Sequence, residues 1–216
     1  GREAGARVEH TAVAQAVAIG VAQALFRDGY GSAAHVPIIH QRVNKVNRMP
    51  HIAGHLLVQC LIAQGVTHAF GVPGESYLAV LDGFHEHRGR IRFIACRQEG
   101  GAAFMACADG TMTGRPGVCF VTRGPGATNA AVGMHTGFQD STPMILLVGQ
   151  VAREQAEREA FQEIDYRRMY GQMAKWVTQI KDARRIPEIV SQAFHRAMNG
   201  RPGPVVIALP EDMLVD

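Results

Sequence analysis

From residue 53 onward, apolar and polar positions fall into a regular order. Ala53 to Gln64 sets Leu56, Leu57, Cys60 and Leu61 on one face at helical spacing, and Gly65 follows as a natural C-cap. Val66 to Val72 reads as a short strand running into Gly71-Val72-Pro73-Gly74. Tyr77 to Phe84 reads as a helix with Leu78, Leu81 and Phe84 on its apolar face. Ile91 to Ala95 predicts a second strand with a helix starting near Glu99, and Val118 to Thr122 a third with a helix over Ala127 to Phe138. Met144 to Val148 is a nearly unbroken aliphatic run, the pattern of a strand covered on both faces. Gln150 to Arg168 is charged and lacks a long apolar face, so it reads as a loop leading into a short helix. Ala174 to Ile180 then predicts a strand, Pro187 to Met198 a helix with proline in its first turn, and Val205 to Leu209 the last strand. Strands alternating with helices argue for an α/β fold: a doubly wound, mostly parallel sheet with helices on both faces.

Residues 1–48 do not follow this order. Thr11 to Phe26 is rich in Ala and Val and predicts one helix. Its apolar core is shorter than the about 20 residues of a membrane span, and it lacks a preceding basic region and a clear signal-peptidase site. This N-terminal extension reads either as a bland upstream segment or as an appended helix that packs on the domain or on a partner. Residues 49–216 read as one domain.

Composition narrows the function classes. The chain has 216 residues, 47% hydrophobic and 19% charged, which is ordinary for a globular protein. The formal charge of +3 is small and scattered, and the cluster Arg42 to Arg48 has no aromatic residue, so neither nucleic acid nor membrane is an expected partner. Cys60, Cys96, Cys107 and Cys119 form no CxxC pair and mostly sit in apolar runs. Buried free thiols in a reducing cytoplasm are expected rather than disulfides or metal ligands. His85-Glu86-His87 is the one tight histidine group, at an expected exposed helix end, and with no HExxH spacing no metal ligand is assigned.

Candidate chemistry concentrates between Arg97 and Asn129. Glu99 opens an expected helix in the segment Arg97-Gln98-Glu99-Gly100-Gly101-Ala102-Ala103. An acid in a first helical turn is favoured by the helix dipole, by about 0.3–1 kcal/mol, and that alone would account for it. The small residues after it leave room for a flat ligand or a second subunit to approach closely. The second segment, Gly124-Pro125-Gly126-Ala127-Thr128-Asn129, reads as a turn from strand to helix with Thr or Asn as the cap. As a dinucleotide fingerprint it lacks the third glycine, and Asp140 lies before the next strand rather than at its end.

The two segments at this separation closely resemble the N-terminal pyrimidine-binding (PYR) domain of thiamine-diphosphate enzymes, in the acetolactate synthase-like group. Three more segments fall in the family's order: Phe70-Gly71-Val72-Pro73-Gly74, Ala160-Phe161-Gln162-Glu163, and Gly200 to Pro204 running into Val205 to Pro210. The resemblance runs continuously from about residue 52 to residue 215, which makes Met49 the expected natural start. It implies that Glu99 is the catalytic acid that meets N1′ of the cofactor's aminopyrimidine, so that the cofactor loses its C2 proton. It further implies that Val72, Pro73, Thr122, Pro125, Asn129 and Gln162 line the cofactor, with Val72 standing where many acetolactate synthases carry Tyr. The implied cofactor is thiamine diphosphate, with Mg²⁺ held by a domain outside this chain. FAD is a candidate for the full-length protein, since some relatives hold it in a central domain. The implied partners are a 2-oxo acid substrate, a diphosphate-binding domain and a second copy in a homo-oligomer, with Gly100 to Ala103 and the helix they begin forming part of the subunit contact.

Two departures bear on function. Glu75-Ser76 follows Gly74 where typical biosynthetic acetolactate synthases have small residues, which opens the choice of substrate. Ala108-Asp109-Gly110 does not qualify as the family's Gly-Asp-Gly metal segment, because it lies in the region of the Glu99 helix. The expected function is therefore a pyrimidine-binding part of a carboligase, inactive alone. The alternatives are a 2-oxo acid decarboxylase of the same superfamily, or a stand-alone binding or regulatory domain.

Overall fold

The computed structural model describes residues 52–215. The helix expected over Thr11 to Phe26, the Arg42–Arg48 cluster and Met49 lie outside the described residues. The elements run α1 (Ala53–Ala63), β1 (His68–Gly71), α2 (Leu78–Glu86), β2 (Arg92–Ala95), α3 (Glu99–Thr113), β3 (Gly117–Val121) and α4 (Gly124–Gln139). Then come β4 (Met144–Gln150), α5 (Tyr166–Tyr170), β5 (Trp176–Gln179), α6 (Ile186–Met198) and β6 (Pro204–Pro210). The six strands form one sheet in the order β2-β1-β3-β4-β6-β5, with every neighbouring pair parallel.

Apolar residues on alternate strand positions enter two separate cores. Val118, Phe120, Ile145, Leu147, Val205, Ile207 and Leu209 pack with residues of α1, α2 and α6. Cys119, Val121, Met144, Leu146, Val148, Val206 and Ala208 pack with residues of α3, α4 and α5. Both faces are covered, so β3, β4 and β6 are buried along their whole length and read as unbroken apolar runs. This is the doubly wound α/β fold expected from the sequence.

Most expected elements are present with shifted ends. The first strand is shorter than Val66 to Val72, because Val66 belongs to the end of α1. Its N–H donates to the Leu61 carbonyl at 3.1 Å and that of Gly65 to Ile62 at 3.0 Å, while Gly65 takes φ +85°. This is the paired 6→1 and 5→2 closure that a left-handed residue allows. The charged stretch after β4 is indeed a loop leading into a short helix. The Glu163 carboxylate accepts from the N–H groups of Glu157 (2.7 Å) and Ala160 (3.3 Å) within it, and Asp165 caps α5 by accepting from Arg167 and Arg168.

Two expectations need correction. Gly124-Pro125-Gly126 is not a turn ahead of the helix but its first turn, with Arg123 as N-cap residue and no side-chain cap bond. Proline fits there because the first N–H groups of a helix have no intrahelical partner anyway. Thr128 and Asn129 therefore cap nothing: the Thr128 hydroxyl donates back to the Gly124 carbonyl at 2.8 Å, and Asn129 points elsewhere. Ala102 is not a surface for a second subunit either. It and Ala103 are fully buried against the rest of the domain, and of the four small residues only Gly101 is exposed.

Candidate active site

The sheet order sets where a ligand can enter. The chain steps from β1 outward to β2, then returns past β1 to build β3 on its other side. The crossovers thus diverge at the carboxyl ends of β1 and β3, which opens the crevice where open α/β sheets bind ligands. Val72 and Pro73 follow β1, Thr122 follows β3, and Pro125 and Asn129 lie in the first turns of α4. Glu99, the first residue of α3, follows β2 on the same edge.

Close backbone packing brings these residues together. A Cβ on Gly133 of α4 would stand 2.5 Å from the Cβ of Ala103, so glycine lets α4 lie directly on α3. At the heads of the two helices, Asn129 Nδ2 donates to Glu99 Oε2 at 2.9 Å. Gln98 caps α3 through its side-chain oxygen, which accepts from the Gly101 N–H at 2.8 Å. Glu99 is thereby half-buried, with one carboxylate oxygen occupied and Oε1 without a hydrogen bond among the described residues.

The space before that oxygen is kept by Gly126. A Cβ there would lie 3.0 Å from Thr122 Cγ2 and 3.5 Å from Glu99 Oε1. A flat ring with a polarised N–H fits this arrangement, since the free oxygen of a fixed carboxylate makes a strong charge-assisted bond. Thr122 is itself held: its hydroxyl shares a hydrogen bond with Ser76 Oγ at 3.0 Å, and a Cβ on Gly74 would stand 2.7 Å from Thr122 Cβ. The Val72 carbonyl accepts from the Tyr77 hydroxyl, which fixes the turn after β1. Gln162, at φ +65°, lays its backbone against Gly124, where a Cβ would stand 2.9 Å from the Gln162 carbonyl oxygen. Glu99, Thr122, Pro125, Asn129 and the backbone of Gln162 thus lie at the head of α4, whereas Val72 and Pro73 are placed only by the turn that follows β1.

The interior beneath the site is held neutral. Burial pushes the Tyr77 phenol and the Cys119 thiol well above their usual ranges, and the nearby Glu99 charge adds to both. Cys107 is raised by burial as well, so these thiols stay protonated and unreactive. Among the described residues no cluster of three or more His, Cys, Asp or Glu could hold a metal ion. No helix among them is long and apolar enough to cross a membrane.

Three contributors escaped the sequence. Gln98 was legible in principle, as a polar residue one place before a helix start. Ser76 is buried, and its hydroxyl fills the space beside Gly149. Arg123 is buried between strand and helix, where its guanidinium meets Glu75 Oε1 at 2.6 Å and Glu211 Oε2 at 3.5 Å. A basic residue between an apolar strand and a Gly-Pro-Gly start was the available signal for it.

Comparison with known proteins agrees with this geometry. Residues 52–169 match the family described as thiamine pyrophosphate enzyme, N-terminal TPP binding domain. Acetolactate synthase of Bacillus subtilis (strain 168) is 39% identical over 159 residues, which are 74% of this chain and 28% of that protein. The large subunit of acetolactate synthase isozyme 3 of Escherichia coli (strain K12) is 42% identical over 159 residues, again 74% and 28%. Acetolactate synthase of Arthrospira platensis is 42% identical over 159 residues, 73% and 28%. The chain thus spans little more than a quarter of the length of these relatives. The match over more than half of the chain establishes its family: it belongs to the thiamine pyrophosphate enzymes, as their N-terminal TPP-binding domain.

Proposed function

We propose that this chain forms the pyrimidine-binding wall of a thiamine-diphosphate-dependent carboligase acting on 2-oxo acids, with Glu99 as the acid that activates the cofactor. The observation that carries this reading is the Glu99 carboxylate, clamped through Oε2 by Asn129 and open at Oε1 before Gly126. Thiamine diphosphate, when bound, supplies the carbon that attacks the 2-oxo acid; the protein tunes it. Glu99 Oε1 would accept a hydrogen bond from the ring nitrogen of the bound cofactor and so favour a proton held there. Asn129 orients the carboxylate, and Thr122 and Pro125 would wall the ring. Val72 and Pro73 border it from β1, and Gln162 backs the first turn of α4.

Diphosphate and Mg²⁺ belong to a further domain of the complete protein in this reading, and FAD, where present, to another. Assembly as a homo-oligomer in the cytoplasm completes the proposal. The exposed apolar residues Phe104, Met105, Met112 and Val132 on α3 and α4 are consistent with such assembly.

Hydrogen–deuterium exchange at C2 of the bound thiazolium, in the complete enzyme, tests the central claim. Glu99→Gln keeps the shape and removes the charge, so exchange should slow by about 10²–10⁴-fold. Cofactor affinity should fall only modestly. Exchange as fast as in wild type would reduce Glu99 to a favourable first-turn acid.

A further inference from the structure

Glu75 is the departure for which the cofactor site has no use, and its partner identifies what it does. Its carboxylate accepts from Arg123 Nη2 at 2.6 Å. Arg123 stands at the wall of a cleft of about 580 Å³, which it lines with Glu75, Gln155, Arg158, Phe161 and Glu211. That is within the about 300–1,000 Å³ of small-molecule sites. The cleft shares the first turn of α4 with the cofactor site, since Arg123 precedes Gly124 and Gln162 backs it.

The guanidinium is incompletely satisfied. The Arg123 side chain is 9% exposed, and its buried Nε has no hydrogen-bond partner. Its two counter-ions are unlike. Glu211 is more enclosed and sits at 3.5 Å, whereas Glu75 is 68% exposed at the end of a short arm. An exposed acid loses little by returning to water, so its hold on Arg123 is exchangeable. An incoming carboxylate replaces Glu75 in kind, without a net change of charge in the cleft, and can present two oxygens to the planar donor fork.

We infer that Arg123 is the receptor for a substrate carboxylate, a small 2-oxo acid, and that Glu75 occupies this receptor until the acid displaces it. The choice of acid rests on the proposed function; the receptor itself does not. With Glu75 displaced, Arg123 and Arg158 face the single opposing charge of Glu211, so the lining carries one net positive charge and matches a monoanion better than a dianion such as phosphate. Glu75 therefore lowers affinity for the acid and restricts the cleft to ligands able to compete with a carboxylate.

Ligand-observed NMR with the 216-residue chain, without cofactor, tests this with pyruvate and its neutral methyl ester as probes. Pyruvate should bind wild type weakly and Glu75→Gln about tenfold more tightly, as removal of one charge-assisted competitor implies. The ester should bind neither, and the double variant E75Q/R123M should lose pyruvate binding. Glu75 is exposed, so its variant keeps the fold; should the double variant not fold, the Glu75→Gln arm decides alone. Equal pyruvate affinity in wild type and Glu75→Gln, no detectable binding to either, or equal competition by phosphate would each overturn the inference. Glu99→Gln should bind pyruvate as wild type does, which separates failure here from failure of the cofactor reading.

Discussion

On one face of the sheet, Phe120 meets Tyr77, Phe84 and Phe93 ring to ring, with centroids 5.5–6.3 Å apart. On the other face, α3 and α4 approach through Ala102, Ala103, Ala106, Ala130 and Gly133, and a single added methyl would overlap Ala103. The first face stabilises by burying large side chains, and such cores can adjust to change by repacking. The second buries less per residue but sets a distance. Because the two helices touch nearly backbone to backbone, Asn129 and Glu99 meet at 2.9 Å. The Glu99–Asn129 geometry depends on the small-residue face and much of the stability on the bulky one.

Substitution should separate these contributions. Phe120→Ala empties the aromatic cluster and should cost about 3–5 kcal/mol, read by denaturant unfolding. A loss below about 1 kcal/mol would mean that the bulky face does not dominate stability.

The pH dependence draws on the small-residue face. The Tyr166 hydroxyl donates to the Gly149 carbonyl at 2.9 Å, and burial pushes its phenol from 10.0 up to about 12. In the unfolded chain this phenol ionises first, so its contribution is fully present below pH 10.0 and is lost as pH rises to about 12. The slope is about 1.4 kcal/mol per pH unit for one such group. Tyr170 is shifted upward as well and adds to it. Stability curves at stepped alkaline pH should therefore be flatter for Tyr166→Phe than for wild type; parallel curves would contradict this.

Gly133→Ala gives the smallest stability effect and the most informative one. Overpacking of about 1–3 kcal/mol is partly offset by the helix preference of alanine, worth about 1 kcal/mol. The melting temperature should fall, because the added methyl meets the Cβ and backbone of Ala103, while thiamine diphosphate affinity in the complete protein falls by more than Phe120→Ala lowers it. Unchanged cofactor binding would show that the helices can separate without disturbing Glu99.

The elements were legible because their patterns are local. Met144 to Gln150 and Pro204 to Pro210 are buried along both sides, so each announces itself as an aliphatic run. The start of α4 is not legible locally, because Gly-Pro-Gly serves equally as a turn or as a helix's first turn. The burial of Ala102 is not legible either, because small size is the same signal for a surface approached by a partner and for an interior packed by a neighbouring helix. Only the partner helix distinguishes the two.

By itself the sequence determined the α/β alternation and the family, since periodicity and motif spacing are properties of the chain. Only the tertiary structure decided that Asn129 holds Glu99 rather than capping α4, and that Glu75 answers Arg123. Those pairs are 30 and 48 residues apart along the chain. Their meeting depends on strand order and on how closely two helices can approach, which no local pattern encodes.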